Sequence, residues 1–563
     1  MKLSNKKSIQ QIVLTLATLG LKHVVISPGS RNAPLTISFN QHPQFHCTSI
    51  RDERSAAFYA LGKAIESKEP VAILCSSGSA VLNFAPAIVE AFYLRIPLIV
   101  ITADRPAEWI GQMDGQTMNQ TDVYQNYIRK SYTLNGDAET ENDLWHNAHC
   151  LNEGFAIATK MDPGPVHFNV PLKEPLFILE EVHDHIPPVI TLPEIEVETE
   201  LNDLNALHSI FSNTKKVMVL AGQNTPDKKL NDLLVQLGEY PNTIVLTEAT
   251  TNLHHPDFIS NIDRCIMPMK DEDIPEFMPD LLITIGGAIV SKKIKELLRK
   301  NKPHQHWNIH PHDCLVNTYQ ALTKAIPMGP VHFLEQLLKD LPKANQANYK
   351  EKWLRHSANI LQKHQQYLGN MEYSDLSAFA EIYNRLPSDT TIHYSNSSPI
   401  RYAQLFDNSR IKSIHCNRGT SGIDGCTSTA MGAASINPDQ PYILITGDVA
   451  FFYDNNAFWN DRIPENLKII LINNAGGGIF RIIKGPGETE ELEEFFETKH
   501  SVSAKKLMDF YEWDYLSAHD EKTLGPNLDQ FFARKSGKVV LEIFTPNEVN
   551  SHILAQYFKY LAS

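Results

Sequence analysis

The chain has 563 residues, enough for three or four domains of ordinary size. Hydrophobic residues make up 42% and charged residues 21%, which is typical of a soluble globular protein with large cores. The 65 acidic residues outnumber the 51 basic ones, and the resulting net charge of −14 argues against nucleic acid or an anionic membrane as a partner. The seven cysteines are scattered without a C-x-x-C pair, which predicts no disulfide framework or zinc knuckle and favours the cytoplasm.

Two apolar stretches near the N-terminus are distinguishable from membrane-targeting segments. In residues 9–19 the apolar side chains fall on one helical stripe, and the β-branched run 23–27 follows directly. This pattern predicts the first helix of a domain rather than a signal peptide. The stretch 80–103 contains an Asn, a Glu and an Arg, which would be costly in lipid. We therefore expect a buried helix and strand there, and no membrane insertion.

Short β-branched runs alternate with helical patterns along the whole chain. This alternation is typical of parallel α/β layers. The runs that predict strands are 23–27, 71–77, 97–103, 216–222, 243–249, 280–287, 391–397, 442–448 and 467–474.

Two segments have the composition of linkers. Residues 180–200 are acidic and Pro-rich, and residues 342–350 are polar after a proline. They predict three domains, each a parallel sheet flanked by helices: an N-terminal domain over 1–182, a central Rossmann-like domain over 195–342 and a C-terminal domain over 350–563.

The first and last domains share a layout, which predicts an internal repeat of one α/β unit. Each contains a strand, a loop of small residues and a helix start, then a helix with a glycine at the same spacing, then a strand that ends in a short polar loop. The matching pairs are 24–35 with 392–405, 53–64 with 423–434, and 77–83 with 447–456.

The most specific pattern lies between Gly447 and Gly478. One predicted strand ends at Gly447-Asp448, a helix follows, and the next strand ends at Asn473-Asn474. The carboxyl ends of parallel strands, together with helix N-termini, bind phosphate groups. Carboxylate and amide oxygens suit Mg²⁺. Separately, an aspartate that caps a helix and an Asn-Asn turn would each have an ordinary structural explanation.

Together, these residues resemble the fingerprint of the thiamine-diphosphate-dependent enzymes. The resemblance implies thiamine diphosphate and Mg²⁺ as cofactors, with Mn²⁺ an alternative ion. It implies that Asp448, Asn474 and the carbonyl of Gly476 bind the metal, and that Gly447, Val449 and Ala450 contact the diphosphate. Val449 departs from the pattern, because most of the family has a second glycine there.

A second motif, RDERSAAFYALG (51–62), contains Glu53 at the start of a predicted helix. It could be only a charged helix start, since carboxylates favour that end. In the family it resembles, a glutamate at this point faces the aminopyrimidine of the cofactor and is catalytic. The resemblance adds Gly78, Ser397 and Ile423 to the cofactor contacts.

Three further motifs, at 27–35, 102–106 and 417–425, are similar to those of the menaquinone-pathway synthases within this family. The similarity implies a transferase that decarboxylates 2-oxoglutarate and adds the remaining four-carbon unit to isochorismate. Two alternatives remain. One is another 2-oxo acid decarboxylase or an acetolactate-type synthase that uses the same cofactor. The other is an inactive ligand sensor on the same fold.

Both implied substrates are dianions, so the site needs cations. Arginine is suited to carboxylates because it donates two parallel hydrogen bonds. For Lys292 and Lys293 a solvated helix face is a strong alternative. The substrate contacts that the resemblance implies are Ser30, Arg31, Arg105, Gln116, Lys292, Lys293, Ser397, Arg401, Arg418 and Phe480.

The motifs are divided between the first and last domains. In the family they resemble, one site is built from two different chains. We therefore expect a homodimer or a dimer of dimers with its active sites at the chain interface.

Overall fold

The computed structural model describes residues 1–182, 189–190, 192, 200–342, 347–482 and 485–563. Most of the linker predicted over 180–200, and residues 343–346 of the second linker, lie outside the described residues. The described chain is α/β throughout, with three parallel sheets between helices, which confirms the predicted fold class. The three domain limits stay a prediction, and we call the three parts the first, middle and last units.

The first unit is built on a six-stranded parallel sheet. Its order is β3-β2-β4-β5-β7-β6, and β1 pairs with β8 in a separate antiparallel ribbon. The strands are β1 (Lys2–Ser4), β2 (His23–Ile26), β3 (His46–Ser49), β4 (Val71–Cys75), β5 (Leu98–Asp104), β6 (Ser131–Thr133), β7 (Val166–Pro171) and β8 (Leu179–Glu181), and the helices are α1 (Lys7–Thr18), α2 (Ala33–Gln41), α3 (Glu53–Ser67), α4 (Ser79–Asn83), α5 (Ala85–Leu94) and α6 (Glu141–Ala156).

The middle unit has the strand order β10-β9-β11-β12-β13, also parallel. Its strands are β9 (Val217–Ala221), β10 (Thr243–Leu246), β11 (Leu281–Ile285), β12 (Gln305–Ile309) and β13 (Lys324–Ile326), and its helices are α7 (Leu204–Asn213), α8 (Lys228–Leu237), α9 (Ile262–Ile266), α10 (Ile274–Phe277), α11 (Lys292–Lys300) and α12 (Pro330–Leu338).

The last unit has the order β15-β14-β16-β17-β19-β18. Its strands are β14 (Thr391–Tyr394), β15 (Ser413–Cys416), β16 (Tyr442–Gly447), β17 (Leu467–Asn473), β18 (Asp514–Ala518) and β19 (Val539–Phe544), and its helices are α13 (Tyr349–Leu368), α14 (Asp375–Arg385), α15 (Ser398–Ala403), α16 (Cys426–Ala434), α17 (Asp448–Tyr453), α18 (Ile479–Ile482), α19 (Lys505–Phe510), α20 (Glu521–Ala533) and α21 (Asn547–Ala562).

The strand orders of the first and last units are the same. When the strands are numbered along the chain within each six-stranded sheet, both sheets have the order 2-1-3-4-6-5, and all neighbours in both are parallel. Central strands such as β4 are buried along their whole length, because helices cover both faces of a parallel sheet. The repeat predicted from the motifs is therefore a repeat of topology.

The two repeat units meet where α3 crosses α16. A Cβ atom on Gly62 would lie 1.9 Å from the carbonyl oxygen of Thr429, and one on Gly432 would lie 1.9 Å from that of Tyr59. Only glycine allows the two helix backbones to touch in this way. The two glycines occupy matching positions of the repeat. The same glycine of the repeated sequence therefore allows the close helix contact from both sides.

The apolar stretch 80–103 lies in the helices α4 and α5 and in β5 of the first sheet. A helix followed by a strand was predicted there. In the described part of the chain, no helix has both the length and the apolar character that crossing a membrane requires.

Candidate active site

A cavity of about 390 Å³ opens at the carboxyl edge of the last sheet. The residues that line it fall between 375 and 498, at the ends of β14, β16 and β17 and in the helices that follow. This is the edge at which open α/β sheets bind ligands. Nine of the site residues predicted from the sequence line this one cavity: Ser397, Ile423, Gly447, Asp448, Val449, Ala450, Asn474, Gly476 and Phe480.

Asp448 and Asn474 stand on neighbouring strand ends, since Gly447 pairs with Ile472 in the parallel ladder. The carboxylate of Asp448 accepts the N–H of Val449 at 2.7 Å and that of Gly476 at 2.9 Å. The amide nitrogen of Asn474 donates to Asp375 at 3.0 Å. Its amide oxygen is buried and has no donor among the described residues. A buried oxygen without a donor is costly, and a bound cation would satisfy it.

His500 also contacts the Asp448 carboxylate. Its Nε2 lies 3.3 Å from Oδ2, and this contact raises the pKa of His500 above its usual value. A backbone hydrogen bond holds His500 beside the strand ends: its N–H donates to the carbonyl of Ala475 at 3.0 Å.

The turn after β17 is held by a buried ion pair. Arg481 donates from Nε and Nη2 to the two carboxylate oxygens of Glu497, each at 2.6 Å. The Glu497 carbonyl accepts the N–H of Gly477 at 2.6 Å. Gly476 has a φ of 157°, and a Cβ there would lie 2.8 Å from the same carbonyl. Glycine is therefore required at this position of the turn.

Ser397 adopts an unusual backbone conformation at the start of α15, with φ 73° and ψ −129°. Such a conformation costs a non-glycine residue about 1–3 kcal/mol and is found mainly at functional sites. It lies at the carboxyl end of β14 and on the cavity wall.

The carboxyl edge of the first sheet gathers a second group of predicted residues. Arg31 is buried and donates to the carbonyl of Leu172 at 3.0 Å, with Glu174 at 3.1 Å. Burial lowers the pKa of Arg31, and the positive charge of Arg105 nearby lowers it further. Arg105 in turn forms an ion pair with Asp114. Each of these two neighbouring arginines is therefore paired with a carboxylate of its own.

Gly78 and Gln116 are neighbours at the same edge. A Cβ on Gly78 would lie 3.3 Å from the Cα of Gln116, and the Gln116 carbonyl accepts the hydroxyl of Ser77 at 2.9 Å. Gly78 has a φ of 83° at the start of α4, and Gln116 has a φ of 55°. Ser30 is exposed in the loop after β2.

Glu53 is the first residue of α3, which begins there because the Asp52 side chain accepts the N–H of Ser55 at 2.9 Å. Glu53 is half-buried, and burial raises the pKa of its carboxyl group, with Asp52 adding to the effect. Its neighbour Arg54 donates to the carbonyl of Tyr453 in the same chain at 2.8 Å. Glu53 does not line the 390 Å³ cavity, and neither do Ser30, Arg31, Gly78, Arg105 or Gln116.

A second cavity, of about 550 Å³, lies between the three units and contains Arg418 and Lys295. Arg418 donates to Asn396 at 2.9 Å. Arg401 is half-buried and has no ion pair within the described residues, and burial lowers the pKa of its guanidinium. The negative charge of Asp263 in the middle unit partly offsets this lowering of the Arg401 pKa.

Lys292 and Lys293 begin α11 and line neither cavity, whereas Lys295 reaches the larger one. Lys295 is not among the residues predicted from the sequence, although the i, i+3 spacing from Lys292 places both on one helix face. Glu248 organises the start of this helix, because its carboxylate accepts the N–H groups of Val290 at 2.6 Å and Ser291 at 2.7 Å.

Other buried polar residues near the site were also missed. Glu90 accepts the N–H groups of Gly419 and Thr420, both at 2.7 Å, and so ties α5 to the loop that carries Arg418. Asn396 donates to the carbonyls of Asn417 at 2.6 Å and Gly422 at 2.7 Å. The signal for Glu90 was a charged residue inside an apolar stretch. Asn396 carried no signal in the sequence.

Comparison with known proteins bears on this arrangement. A family model described as the N-terminal thiamine pyrophosphate binding domain of thiamine pyrophosphate enzymes matches residues 7–125, and the model of their C-terminal binding domain matches residues 397–543. Over 98% of both chains, this chain is 45% identical to the 2-succinyl-5-enolpyruvyl-6-hydroxy-3-cyclohexene-1-carboxylate synthase of Flavobacterium psychrophilum. It is 36% identical to the synthase of the same name from Porphyromonas gingivalis, over 99% of this chain and 98% of that one.

The chain belongs to this synthase family. The resemblance inferred from the motifs is confirmed, as are the prediction of an enzyme and of thiamine pyrophosphate (thiamine diphosphate) as its cofactor. The two family models cover the two repeat units and leave the middle unit unmatched.

Proposed function

We propose that this chain catalyses the reaction of its synthase relatives in menaquinone biosynthesis. In this reaction, 2-oxoglutarate loses CO₂ and its remaining four-carbon unit is added to isochorismate. The observation that carries the proposal is the 390 Å³ cavity, in which Asp448 and the donor-less amide oxygen of Asn474 stand at adjacent strand ends. Thiamine diphosphate supplies a nucleophilic carbon and an electron sink for the decarboxylation when it is bound.

The residues of this cavity fit a diphosphate with its magnesium ion. Asp448, Asn474 and the carbonyl of Gly476 would hold Mg²⁺, or Mn²⁺ in its place. Gly447, Val449 and Ala450 offer the N-terminus of α17 to the diphosphate. Ser397 and Ile423, which line the same cavity, and Gly78 of the first unit would complete the contacts to the cofactor.

Glu53 would act on the ring portion of the cofactor. Its carboxyl group is partly desolvated, and burial raises its pKa, which favours holding a proton at the carboxyl oxygen. A protonated carboxyl group can donate this proton to a ring nitrogen of the cofactor. A carboxyl group whose pKa is raised in this way is suited to proton transfer.

The two dianionic substrates would be bound by cations and hydrogen-bond donors that converge from all three units. Arg401 and Arg418 lie in the last unit, Arg31 and Arg105 in the first, and both pairs are at least partly desolvated. Desolvated arginines bind carboxylates more strongly than exposed ones do. Ser30, Gln116, Ser397 and Phe480 would add hydrogen bonds and an apolar wall, and Lys292 and Lys293 would contribute from the start of α11.

The complete site would form between two chains. Glu53 and the first group of arginines lie outside the cavity that Asp448 and Asn474 line in the same chain. A C₂ dimer that joins the first unit of one chain to the last unit of its partner would produce two equivalent sites. Such a dimer, or a dimer of two dimers, agrees with the apolar side chains exposed near both edges, among them Met113, Leu82 and Phe496.

A direct assay tests this proposal. The protein is incubated with thiamine diphosphate, Mg²⁺, 2-oxoglutarate and isochorismate, and CO₂ and the product are measured by mass spectrometry. We expect product only when all four are present. Pyruvate replaces 2-oxoglutarate in a parallel incubation. CO₂ release from pyruvate with no reaction of isochorismate would instead favour an acetolactate-type synthase, and no CO₂ from either 2-oxo acid would favour a ligand sensor.

Arg418→Ala tests the proposed contribution of this residue to substrate binding. We expect a KM for the dianionic substrates raised at least about tenfold, since a charge-assisted hydrogen bond contributes about 1.5–3 kcal/mol. An unchanged KM for both substrates would remove Arg418 from the site. Lys270→Ala, a change on the surface of the middle unit, is the control.

A further inference from the structure

Asp375 is a buried carboxylate beside Asn474, on the wall of the 390 Å³ cavity. It is the first residue of α14 and is 2% exposed. Its Oδ2 accepts the amide N–H of Asn474 at 3.0 Å, and its Oδ1 accepts the hydroxyl of Thr545 at 2.5 Å. Its own N–H donates to Asn550 at 2.8 Å. Contacts to three elements therefore fix the position of this carboxylate.

The backbone around Asp375 is also fixed. Ser374 caps α14 in a reciprocal arrangement with Ser377, in which each side chain accepts the backbone N–H of the other. The two bonds are 3.3 and 2.7 Å long. The position of the carboxylate therefore follows from the start of the helix and does not depend on a mobile side chain.

This carboxylate decides which end of the Asn474 amide faces the cavity. An asparagine amide has nearly the same shape in its two orientations, but one end donates hydrogen bonds and the other accepts them. Both carboxylate oxygens of Asp375 accept hydrogen bonds in this structure, so the amide nitrogen of Asn474 points toward Asp375. The amide oxygen then points the other way, and it is the buried oxygen without a donor. Only this orientation places an oxygen where a cation can bind it.

We infer that Asp375 is a positioning residue that holds the Asn474 amide with its oxygen toward the metal of the cofactor. The inference rests on the proposed function, in which Asn474 is a metal ligand. Residues that orient metal ligands typically change metal affinity about 10–100-fold when they are replaced. The same range is expected here.

Asp375→Asn tests the orientation. The new side chain has the same shape but can accept or donate, so the Asn474 amide is free to turn. We expect the affinity of the full-length protein for thiamine diphosphate with Mg²⁺, measured by calorimetry, to fall about 10–100-fold. Direct Mn²⁺ binding, measured by electron paramagnetic resonance, should fall in parallel. Asp263→Asn, which alters a buried aspartate that accepts a hydroxyl in the middle unit, should leave both affinities unchanged.

The exchange Asp375→Asn with Asn474→Asp is the decisive variant. It keeps the composition and the net charge, and the amide at 375 now donates to a carboxylate at 474, which again presents an oxygen to the metal. We expect the Mn²⁺ affinity to return to within about threefold of wild type. Asp375→Asn that binds like wild type, or an exchange variant that folds but binds no better than Asp375→Asn, would overturn the inference.

Two further variants keep the outcomes distinct. If Asn474→Ala leaves metal and cofactor affinity unchanged, the metal assignment in the proposed function fails rather than the role of Asp375. If Asp375→Asn does not fold, Thr545→Val removes the hydroxyl that holds Oδ1 and leaves the carboxylate in place. A smaller loss of Mn²⁺ affinity is then expected, and no loss would overturn the inference.

Discussion

At the scale of single residues, the site combines groups that are costly in a folded protein. Asn474 presents a buried oxygen without a donor, Ser397 adopts a strained backbone, and burial raises the pKa of Glu53. Each of these features opposes folding. Their concentration at the carboxyl edges of the two repeated sheets is what a binding site for a charged cofactor requires.

Glu53→Gln should keep cofactor binding and lose at least about 100-fold in kcat, because the amide cannot hold or donate a carboxyl proton. Steady-state kinetics and calorimetry measure the two effects. Glu141→Gln is a matched control, since Glu141 is also the first residue of a helix in the first unit but is exposed. Near wild-type turnover in Glu53→Gln would exclude Glu53 from the mechanism.

Asp448→Ala should reduce the affinity for thiamine diphosphate to the value that wild type shows in EDTA, since the ionic bridge to the diphosphate is lost in both. Adding Mg²⁺ back should restore binding only in wild type. Calorimetry with and without the chelator makes the comparison. A variant that still responds to Mg²⁺ would contradict the metal assignment.

Glu248 predicts a dependence of stability on pH. Burial raises its pKa to about 7, above the value of about 4.3 for an exposed glutamate. The folded chain therefore holds this proton more tightly, and the stability it contributes is present below pH ~4 and lost as the pH rises through 7. The melting temperature of wild type relative to Glu248→Gln should fall between pH 5 and pH 8. A difference that does not vary with pH would contradict this assignment.

At the scale of secondary-structure elements, the crossing of α3 and α16 joins the two repeat units through backbone contact. The sequence already showed glycines at matching positions, but only the structure shows that Gly62 and Gly432 face the opposite helix. The same contact sets the position of both helix N-termini. Glu53 begins one of them, and the loop with Arg418 and Ile423 leads into the other.

Gly432→Ala should therefore lower the melting temperature, since its Cβ would lie 1.9 Å from the carbonyl oxygen of Tyr59 and the helices must separate. Overpacking of this kind typically costs about 1–3 kcal/mol. Gly369→Ala is the control, because the φ of Gly369 is −72° and a Cβ there would lie 3.6 Å from the carbonyl oxygen of Gln366, an ordinary contact distance. Equal melting temperatures for the two variants would mean that the crossing tolerates a side chain.

At the scale of the whole molecule, the separation of Glu53 from the 390 Å³ cavity predicts complementation between chains. Mixing inactive Glu53→Gln with inactive Asp448→Ala should produce dimers with one site that carries both changes and one that carries neither. With random exchange at equal amounts, half the dimers are mixed and half of their sites are intact, which gives about a quarter of wild-type activity. No activity after verified exchange of subunits would mean that each chain builds its own site.

The sequence by itself determined the α/β class, the family and the groups at the strand ends. These are properties of short segments. A buried strand, the loop at its end and the next helix are contiguous in the chain, so their residue types can be read together from the sequence. The Asp448 and Asn474 motif was predicted in this way, and the family resemblance that it supports implied the other residues of the nine that share one cavity.

Only the tertiary structure decided which distant residues support these motifs. Asp375 lies 99 residues before Asn474, and Glu90 lies 329 residues before Gly419, so no local pattern relates either pair. Lys295 lines a cavity and Lys292 and Lys293 do not, and this too depends on how α11 packs. Buried partners of this kind are selected by packing in three dimensions, and the linear sequence shows them only as isolated polar residues.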